Sequence, residues 1–132
     1  MTGKKVLVVD DDVDLLQGLR VLLNAKGYNV VFATDGLSTI NTARREMPDV
    51  IILDIGLPAG DGFVVMDRLK SMQPLASIPI IILTAIDPCS SKERALNAGA
   101  KFFFQKPFDN DELLAAIRNA TGETGENLQE QM

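Results

Sequence analysis

Short apolar runs alternate with amphipathic segments along the chain. Five runs are rich in β-branched or aromatic residues: KVLVV (5–9), YNVVFA (28–33), DVIILD (49–54), IPIIILT (78–84) and KFFF (101–104). Several of them are continuously apolar, which is typical of strands buried on both faces of a parallel sheet. We therefore expect five strands at these positions.

The segments between the runs have the periodicity of helices. Apolar residues repeat at helical spacing at Leu15, Leu16, Leu19, Leu22 and Leu23, at Val65, Met66, Leu69 and Met72, and at Leu113, Leu114, Ile117 and Ala120. Residues 35–46 have a weaker pattern. Gly27 and Gly99 stand where helices would end, and the pairs Ser90–Glu93 and Asp109–Glu112 are spaced as capping boxes that would begin the last two helices.

A strand followed by a helix, repeated five times, predicts an α/β fold with a parallel sheet and helices on both faces. The pattern ends near Ala120, so we expect one domain over residues 1–120. Residues 121–132, TGETGENLQEQM, form a polar tail or the start of a linker. Asp61 is interpreted as a residue of a turn or a helix cap.

Composition narrows the classes of function. The chain has 132 residues and a net charge of −5, so we expect no direct nucleic-acid binding by this chain. Its single cysteine, Cys89, excludes an intrachain disulfide, and the absence of histidine excludes catalysis by histidine. No segment is apolar enough for a signal peptide or a membrane span, so we expect a cytoplasmic protein.

Polar residues lie at the end of four of the predicted strands or just after it. Asp10 and Asp11 follow the first, Asp54 ends the third, Thr84 ends the fourth and Lys106 follows the fifth. In open α/β sheets, sites form at the carboxyl ends of the strands. The five side chains are therefore expected at one edge of the sheet.

The chemistry of this set favours a phosphoryl site with a metal ion. Three carboxylates close together raise one another's pKa unless a cation is present, and oxygen ligands suit Mg²⁺. Lys106 and the Thr84 hydroxyl would bind a phosphoryl group. Asp54 is the best candidate for a nucleophile that forms an aspartyl phosphate.

Four motifs resemble the receiver domains of two-component response regulators: VVDDD, IILDIGLPAGDG, IIILTA and FFFQKPF. They occur in the family's order and spacing over about residues 4–120. The resemblance implies a CheY-like, flavodoxin-like fold, that is, a doubly wound (βα)5 unit with strand order 2-1-3-4-5.

The resemblance also implies roles at the acidic site. Asp54 matches the aspartate that accepts phosphate from a phosphohistidine of a sensor kinase. Asp10 and Asp11 match the acidic pair that holds Mg²⁺, together with Asp54 and the backbone carbonyl at Gly56.

Further roles concern the phosphoryl group and the switch. Thr84 matches the switch threonine, Ala85 the residue whose amide contacts the phosphoryl group, and Lys106 the lysine that pairs with it. Phe103 falls at the aromatic switch position. The family often has a cis peptide at the position of Lys106–Pro107.

Several residues have simpler interpretations. Asp12 and Asp14 look like a helix cap and a first-turn acid, and Cys89 is interpreted as inert. Alternation places Phe102 and Phe104 on one face of the sheet and Phe103 on the other. Ile86 is bulky and apolar, and our hypothesis is that it screens the aspartyl phosphate from water.

As a receiver, the chain would catalyse only its own phosphorylation and dephosphorylation. Its expected partners are a sensor histidine kinase or phosphotransfer protein, and a downstream protein or a C-terminal output domain absent from this chain. Either a monomer or a phosphorylation-dependent dimer is compatible with the sequence, as is either a stand-alone regulator or part of a longer one. Three alternatives are a phosphohydrolase with an aspartyl nucleophile, a flavodoxin-like cofactor carrier, and a docking module that never takes phosphate.

Overall fold

The computed structural model describes residues 3–57 and 62–123. The strands are β1 Lys5–Val9, β2 Asn29–Ala33, β3 Val50–Leu53, β4 Ile80–Thr84 and β5 Phe102–Gln105. All pair in parallel, in the order β2-β1-β3-β4-β5. The predicted fold and strand order are therefore confirmed. The turn predicted at Asp61 and tail residues 124–132 lie outside the described residues.

Helices connect the strands and cover both faces of the sheet. They are α1 Val13–Ala25, α2 Gly36–Glu46, α3 Gly62–Lys70, α4 Pro88–Asn97 and α5 Asn110–Ala120, with a short 3-10 helix at Leu75–Ser77. None of the helices in the described part of the chain combines the length and hydrophobicity that a membrane span requires.

Two apolar cores lie on opposite faces of the sheet. The α2–α4 core includes the helix residues Ile40, Val65, Met66, Leu69 and Ala95. The α1–α5 core includes the helix residues Leu16, Leu19, Leu23, Leu113 and Ile117. Successive residues of each strand alternate between the two cores, which explains why the central strands are apolar apart from Lys5 at the start of β1 and Thr84 at the end of β4.

The edge strand β5 shows the predicted alternation. Phe103 packs against the α2–α4 core, whereas Phe102 and Phe104 pack against the α1–α5 core. The rings of Phe102 and Phe104 are stacked with their centroids 6.4 Å apart. The three phenylalanines thus close both cores at one edge of the sheet.

Two of the predicted helix caps are confirmed. The Asp12 carboxylate accepts hydrogen bonds from the backbone N–H groups of Asp14 and Leu15 and begins α1. Asp109 accepts from the N–H of Glu112 and begins α5. These three bonds satisfy amide groups that the first turn of a helix leaves without an intrahelical acceptor.

The predicted start of α4 at Ser90 is wrong. The N-cap is Asp87, whose carboxylate accepts from the N–H of Cys89, and Pro88 is the first helical residue. Proline suits this position because its φ is already helical and it has no N–H to satisfy. The hydroxyls of Ser90 and Ser91 instead donate to the Asp87 carbonyl. The helix therefore begins closer to Thr84 than the sequence pattern indicated.

Candidate functional site

Strand register brings the predicted site residues to one edge of the sheet. Val9 in β1 pairs with Leu53 in β3, so the residues that follow them, Asp10 and Asp54, are neighbours. The Asp54 N–H extends this pairing by donating to the Val9 carbonyl at 3.0 Å. Thr84 ends β4, and its carbonyl accepts a hydrogen bond from the Lys106 N–H just after β5 at 2.8 Å. This bond brings Lys106 to the same edge of the sheet.

Three carboxylates form the centre of the site. One oxygen each from Asp10, Asp11 and Asp54 lies within 4.8 Å of the others. Asp10 is only 2% exposed and Asp54 only 7%, while Asp11 is exposed to solvent. This set of oxygen atoms fits a hard divalent cation, which Asp11 could reach from the solvent side.

The Lys106 ammonium bridges the two buried carboxylates. Its Nζ lies 2.7 Å from Asp10 Oδ2 and 3.3 Å from Asp54 Oδ2. The peptide bond between Lys106 and Pro107 is cis, as the sequence resemblance implied. Three ionised carboxylates against one ammonium leave the site with a net negative charge, which a metal cation would reduce.

The site shifts the pKa of two groups. Burial raises the pKa of the Asp10 carboxyl, and it outweighs the hydrogen bond from Lys106, which lowers that pKa. Burial alone would lower the pKa of Lys106, but the hydrogen bond to Asp10 and the charge of Asp54 reverse this and raise it. Lys106 therefore remains a cation at neutral pH, available to an anionic group.

One local hydrogen-bond pattern recurs at three strand ends. Asp10 Oδ1 accepts from the Asp12 N–H at 2.9 Å, and Asp54 Oδ1 accepts from the Gly56 N–H at 2.8 Å. Thr84 Oγ1 accepts from the Ile86 N–H at 3.2 Å. Each bond joins a side chain to the backbone two residues later, a turn that Asp and Thr favour. The periodicity of the sequence does not predict these turns, although an Asp or Thr at the end of a strand is a signal for them.

Ile86 and the Asp54 carboxylate both lie near Gly56. A Cβ atom on Gly56 would be 3.3 Å from Asp54 Oδ1 and 3.3 Å from Ile86 Cδ1. The apolar side chain of Ile86, 38% exposed, and the Asp54 carboxylate therefore both border the space next to Gly56. This position is compatible with the predicted screening role.

The remaining predicted residues lie around this centre. Thr84 is fully buried and Ala85 is exposed directly after it. Phe103 is half-buried and packs with the α2–α4 core rather than with the carboxylates. The structure brings most of the predicted residues together, but the roles assigned to all of them, including those of the Gly56 carbonyl and the Ala85 amide, stay predictions.

Comparison with known proteins identifies the family. The profile of the response regulator receiver domain matches residues 6–118 of the chain. The chain therefore belongs to this family, whose members are signalling switches rather than turnover enzymes. The match favours the receiver interpretation over a phosphohydrolase and over a flavodoxin-like carrier.

Two curated relatives illustrate the similarity. The transcriptional regulatory protein KdpE of Mycobacterium tuberculosis is 41% identical over 115 residues, which are 87% of this chain and 50% of KdpE. The response regulator PleD of Caulobacter vibrioides is 37% identical over 117 residues, 89% of this chain and 26% of PleD. The chain thus spans half or less of the length of these relatives, and it aligns with only part of each.

Solved structures agree with the fold. A putative response regulator from Chloroflexus aurantiacus superimposes with a TM-score of 0.86 at 30% identity, covering 92% of this chain and 99% of that one. The receiver domain of the sensor histidine kinase PA1611 from Pseudomonas aeruginosa gives 0.83 at 28% identity, with 92% and 99% coverage. In that structure a magnesium ion is coordinated in the active-site cleft.

Proposed function

We propose that the chain accepts a phosphoryl group on the Asp54 carboxylate and uses it to switch the binding of a partner. The observation that carries the proposal is the setting of Asp54. Its buried carboxylate lies 3.3 Å from a lysine ammonium and within 4.8 Å of two further carboxylates. A buried carboxylate, an ammonium and two further carboxylates at one point of the sheet edge support the roles of nucleophile, cation and metal ligands.

The chain's own residues orient and stabilise the transfer. An Asp54 carboxylate oxygen attacks the phosphorus, and the bond from phosphorus to the donor nitrogen or oxygen breaks, leaving its electron pair on the donor. Lys106 neutralises charge on the transferred group, and the Thr84 hydroxyl donates a hydrogen bond to it. The Gly56 N–H holds the carboxylate in one orientation through its 2.8 Å bond to Oδ1.

Mg²⁺ is the proposed cofactor. Asp10, Asp11, Asp54 and the Gly56 carbonyl would hold the ion, and the bound ion would supply positive charge to the phosphoryl oxygens. The acidic cluster of this chain and the magnesium ion in the related PA1611 receiver domain support this proposal.

The proposed donor is a phosphohistidine on a sensor histidine kinase or phosphotransfer protein in the cytoplasm. After transfer, Thr84 moves toward the phosphoryl group and Phe103 rotates into the space that Thr84 leaves. The surface formed by α4, β5 and α5 then changes, and a downstream protein or an output domain outside this chain binds it. We propose either a monomer or a dimer that forms on phosphorylation.

Intact mass spectrometry tests the phosphoacceptor directly. The protein is incubated with acetyl phosphate and Mg²⁺, beside an Asp54→Asn variant and a sample with chelator. We expect the wild type alone to gain one phosphoryl group. Circular dichroism of the variant establishes that it is folded.

Three other results would contradict the proposal. A folded wild type that gains no phosphoryl group either from acetyl phosphate or from a phosphorylated histidine-containing donor would favour the docking module. Repeated turnover of a generic phosphate ester would instead favour the phosphohydrolase. A gain that persists in Asp54→Asn would move the acceptor to another residue.

A further inference from the structure

A contact between α3 and α4 connects the helices that follow the loops after Asp54 and after Thr84, here called the two switch loops. The Arg94 guanidinium carbon in α4 lies 3.8 Å from the centroid of the Phe63 ring in α3. At this distance the planar guanidinium stacks on the ring as a cation–π pair. Phe63 is half-buried and packs against the α2–α4 core, so the ring is held in place, whereas Arg94 is exposed.

The buried attachment of α4 to the rest of the protein is slight. Its buried residues are Ser91 and Ala95, both small. Other helices bury larger apolar side chains, such as Leu16, Leu19 and Leu23 in α1, and Val65, Met66 and Leu69 in α3. Because hydrophobic stabilisation scales with the apolar area removed from water, the buried face of α4 contributes less than these. The contact of Arg94 with Phe63 therefore adds to a small buried area that holds α4.

The N-terminus of α4 is coupled to Thr84 through a short connection. Thr84 Oγ1 accepts from the Ile86 N–H, and the next residue, Asp87, caps α4. A movement of Thr84 toward Asp54 therefore displaces the start of α4. Phe63 stays with α3, which is anchored in the core, so such a displacement strains or breaks the stacking of Arg94.

We propose that Arg94 is a positioning residue whose stacking on Phe63 holds α4 against α3 and opposes the switch. This inference rests on the proposed function, in which a phosphoryl group on Asp54 moves Thr84 and α4. A ligand that favours the switched arrangement must work against the contact. Removing the contact should therefore tighten the binding of such a ligand.

Calorimetric titration with beryllofluoride in the presence of Mg²⁺ measures this effect, because beryllofluoride mimics a phosphoryl group on a carboxylate. We expect Arg94→Met, which retains the aliphatic stem but loses the guanidinium, to bind about two- to fivefold more tightly than wild type. Arg94→Lys retains the charge, so its affinity for beryllofluoride should lie between those of wild type and Arg94→Met. Adding Phe63→Leu to Arg94→Met should give no further tightening, because both changes remove one contact.

The chain provides a matched control. The Arg20 guanidinium carbon lies 6.0 Å from the centroid of the Phe32 ring, in a pair formed by α1 and β2. Arg20→Met removes the same groups at a distance from both switch loops. Its beryllofluoride affinity should equal that of wild type, and tightening equal to that of Arg94→Met would overturn the specific role of Arg94.

Hydrogen exchange separates a failure of this inference from a failure of the proposed function. We expect Arg94→Met to accelerate exchange of the α4 amides about two- to fivefold without ligand, and to leave α5 unchanged. If wild type does not bind beryllofluoride but Arg94→Met accelerates exchange of the α4 amides, the proposed function fails while the role of the Arg94–Phe63 contact in holding α4 is supported. If wild type binds beryllofluoride and Arg94→Met binds equally or more weakly, the inference is overturned. Unchanged α4 exchange also overturns it.

Discussion

At the scale of the residue, the site depends on backbone amides as much as on the charged groups. Asp10, Asp54 and Thr84 each accept an N–H from two residues further along the chain. These bonds orient one oxygen of each side chain and leave the carboxylates of Asp10 and Asp54 a second oxygen that faces Lys106. A reacting group held in this way needs little reorganisation when charge develops on a bound phosphoryl group.

Ile86 is expected to slow the loss of phosphate from Asp54. In an Ile86→Glu variant, a carboxylate would replace the apolar side chain beside the acceptor and could orient water. We expect the aspartyl phosphate of this variant to decay at least about threefold faster than that of wild type. This increase is smaller than the ~10²–10⁴-fold rate enhancement that a well-positioned general base provides. Mass spectra taken at intervals after removal of the phosphodonor give the decay rate.

A second variant controls for added charge. Leu96 is an exposed residue near the end of α4. Leu96→Glu therefore adds the same charge as Ile86→Glu, but at a site away from Gly56 and Asp54. Its decay rate should match wild type. Equal decay in wild type and Ile86→Glu would show that Ile86 does not screen the site.

Asp11 should contribute to metal affinity more than to stability. It is exposed, and its carboxylate completes the cluster with Asp10 and Asp54. We expect Mg²⁺ at about 100 times its Kd to raise the free energy of unfolding of wild type by about 2.7 kcal/mol. At that same Mg²⁺ concentration, the free energy of unfolding of Asp11→Asn should rise clearly less. Urea denaturation with and without Mg²⁺ measures both values.

Asp14 provides the comparison for this charge change. It is an exposed acid in the first turn of α1, outside the carboxylate cluster. Asp14→Asn should retain the full stabilisation by Mg²⁺. If Asp11→Asn and Asp14→Asn lose equal amounts, the effect is one of overall charge and the assigned metal site is wrong.

At the scale of the element, α1 contains a glycine that the fold does not require. A Cβ atom at Gly18 would have no atom within 4 Å beyond its own helix and neighbours. Glycine in a helix interior costs roughly 0.5–1 kcal/mol relative to alanine, because the unfolded chain loses more freedom on folding. We expect Gly18→Ala to raise the free energy of unfolding by about that amount in urea denaturation.

Replacing Gly62 at the start of α3 by alanine should have the opposite effect on the free energy of unfolding. A Cβ atom there would lie 2.3 Å from the Ile55 Cα, so backbone would have to move. Gly62→Ala should lower the free energy of unfolding by about 1–3 kcal/mol, as overpacking does. A stabilised Gly62→Ala or a destabilised Gly18→Ala would contradict this account of the two helices.

At the scale of the whole molecule, Tyr28 connects the start of β2 to the segment after α5. Its hydroxyl donates to Glu123 Oε2 at 3.1 Å, and Glu123 also accepts from the Thr121 hydroxyl. Burial, with Tyr28 only 4% exposed, and the negative charge of Glu123 raise the pKa of Tyr28 to about 12. The phenol therefore reports on a contact between distant parts of the sequence.

Alkaline titration tests this contact, and Tyr28 is the only tyrosine in a chain without tryptophan. Tyrosinate absorbance should have its midpoint near pH 12 in the folded protein and near ~10 in denaturant. Because the folded-state pKa is the higher one, this contribution to stability is complete below about pH 10 and is lost as the pH rises toward 12.

The change in stability should amount to up to about 2.7 kcal/mol over that interval. Lysines titrate in the same range, so the quantity to measure is the difference between wild type and Tyr28→Phe. Glu123→Gln should move the folded-state midpoint part of the way toward 10. A midpoint near 10 in the folded wild type would show that the contact does not persist in solution.

The apolar pattern of the sequence was sufficient to predict the strands, where they end and which polar residues follow them. Runs such as KVLVV and DVIILD are buried on both faces of the sheet, so nearly all of their residues are apolar. Such a continuous apolar run can be recognised from the local sequence. Asp10, Asp54, Thr84 and Lys106 could be assigned to one edge because the carboxyl ends of parallel strands meet there. The resemblance to receiver domains supplied the order of the strands.

Only the tertiary structure decided the contacts between elements. The 2.7 Å pairing of Lys106 with Asp10, the stacking of Arg94 on Phe63 and the bond from Tyr28 to Glu123 join residues distant along the chain. Even the start of α4 was misread, because Ser90–Glu93 has the spacing of a capping box while Asp87 and Pro88 form the actual start. Local patterns record which face of an element is buried, whereas these distances depend on how the packed helices and strands are placed together in space.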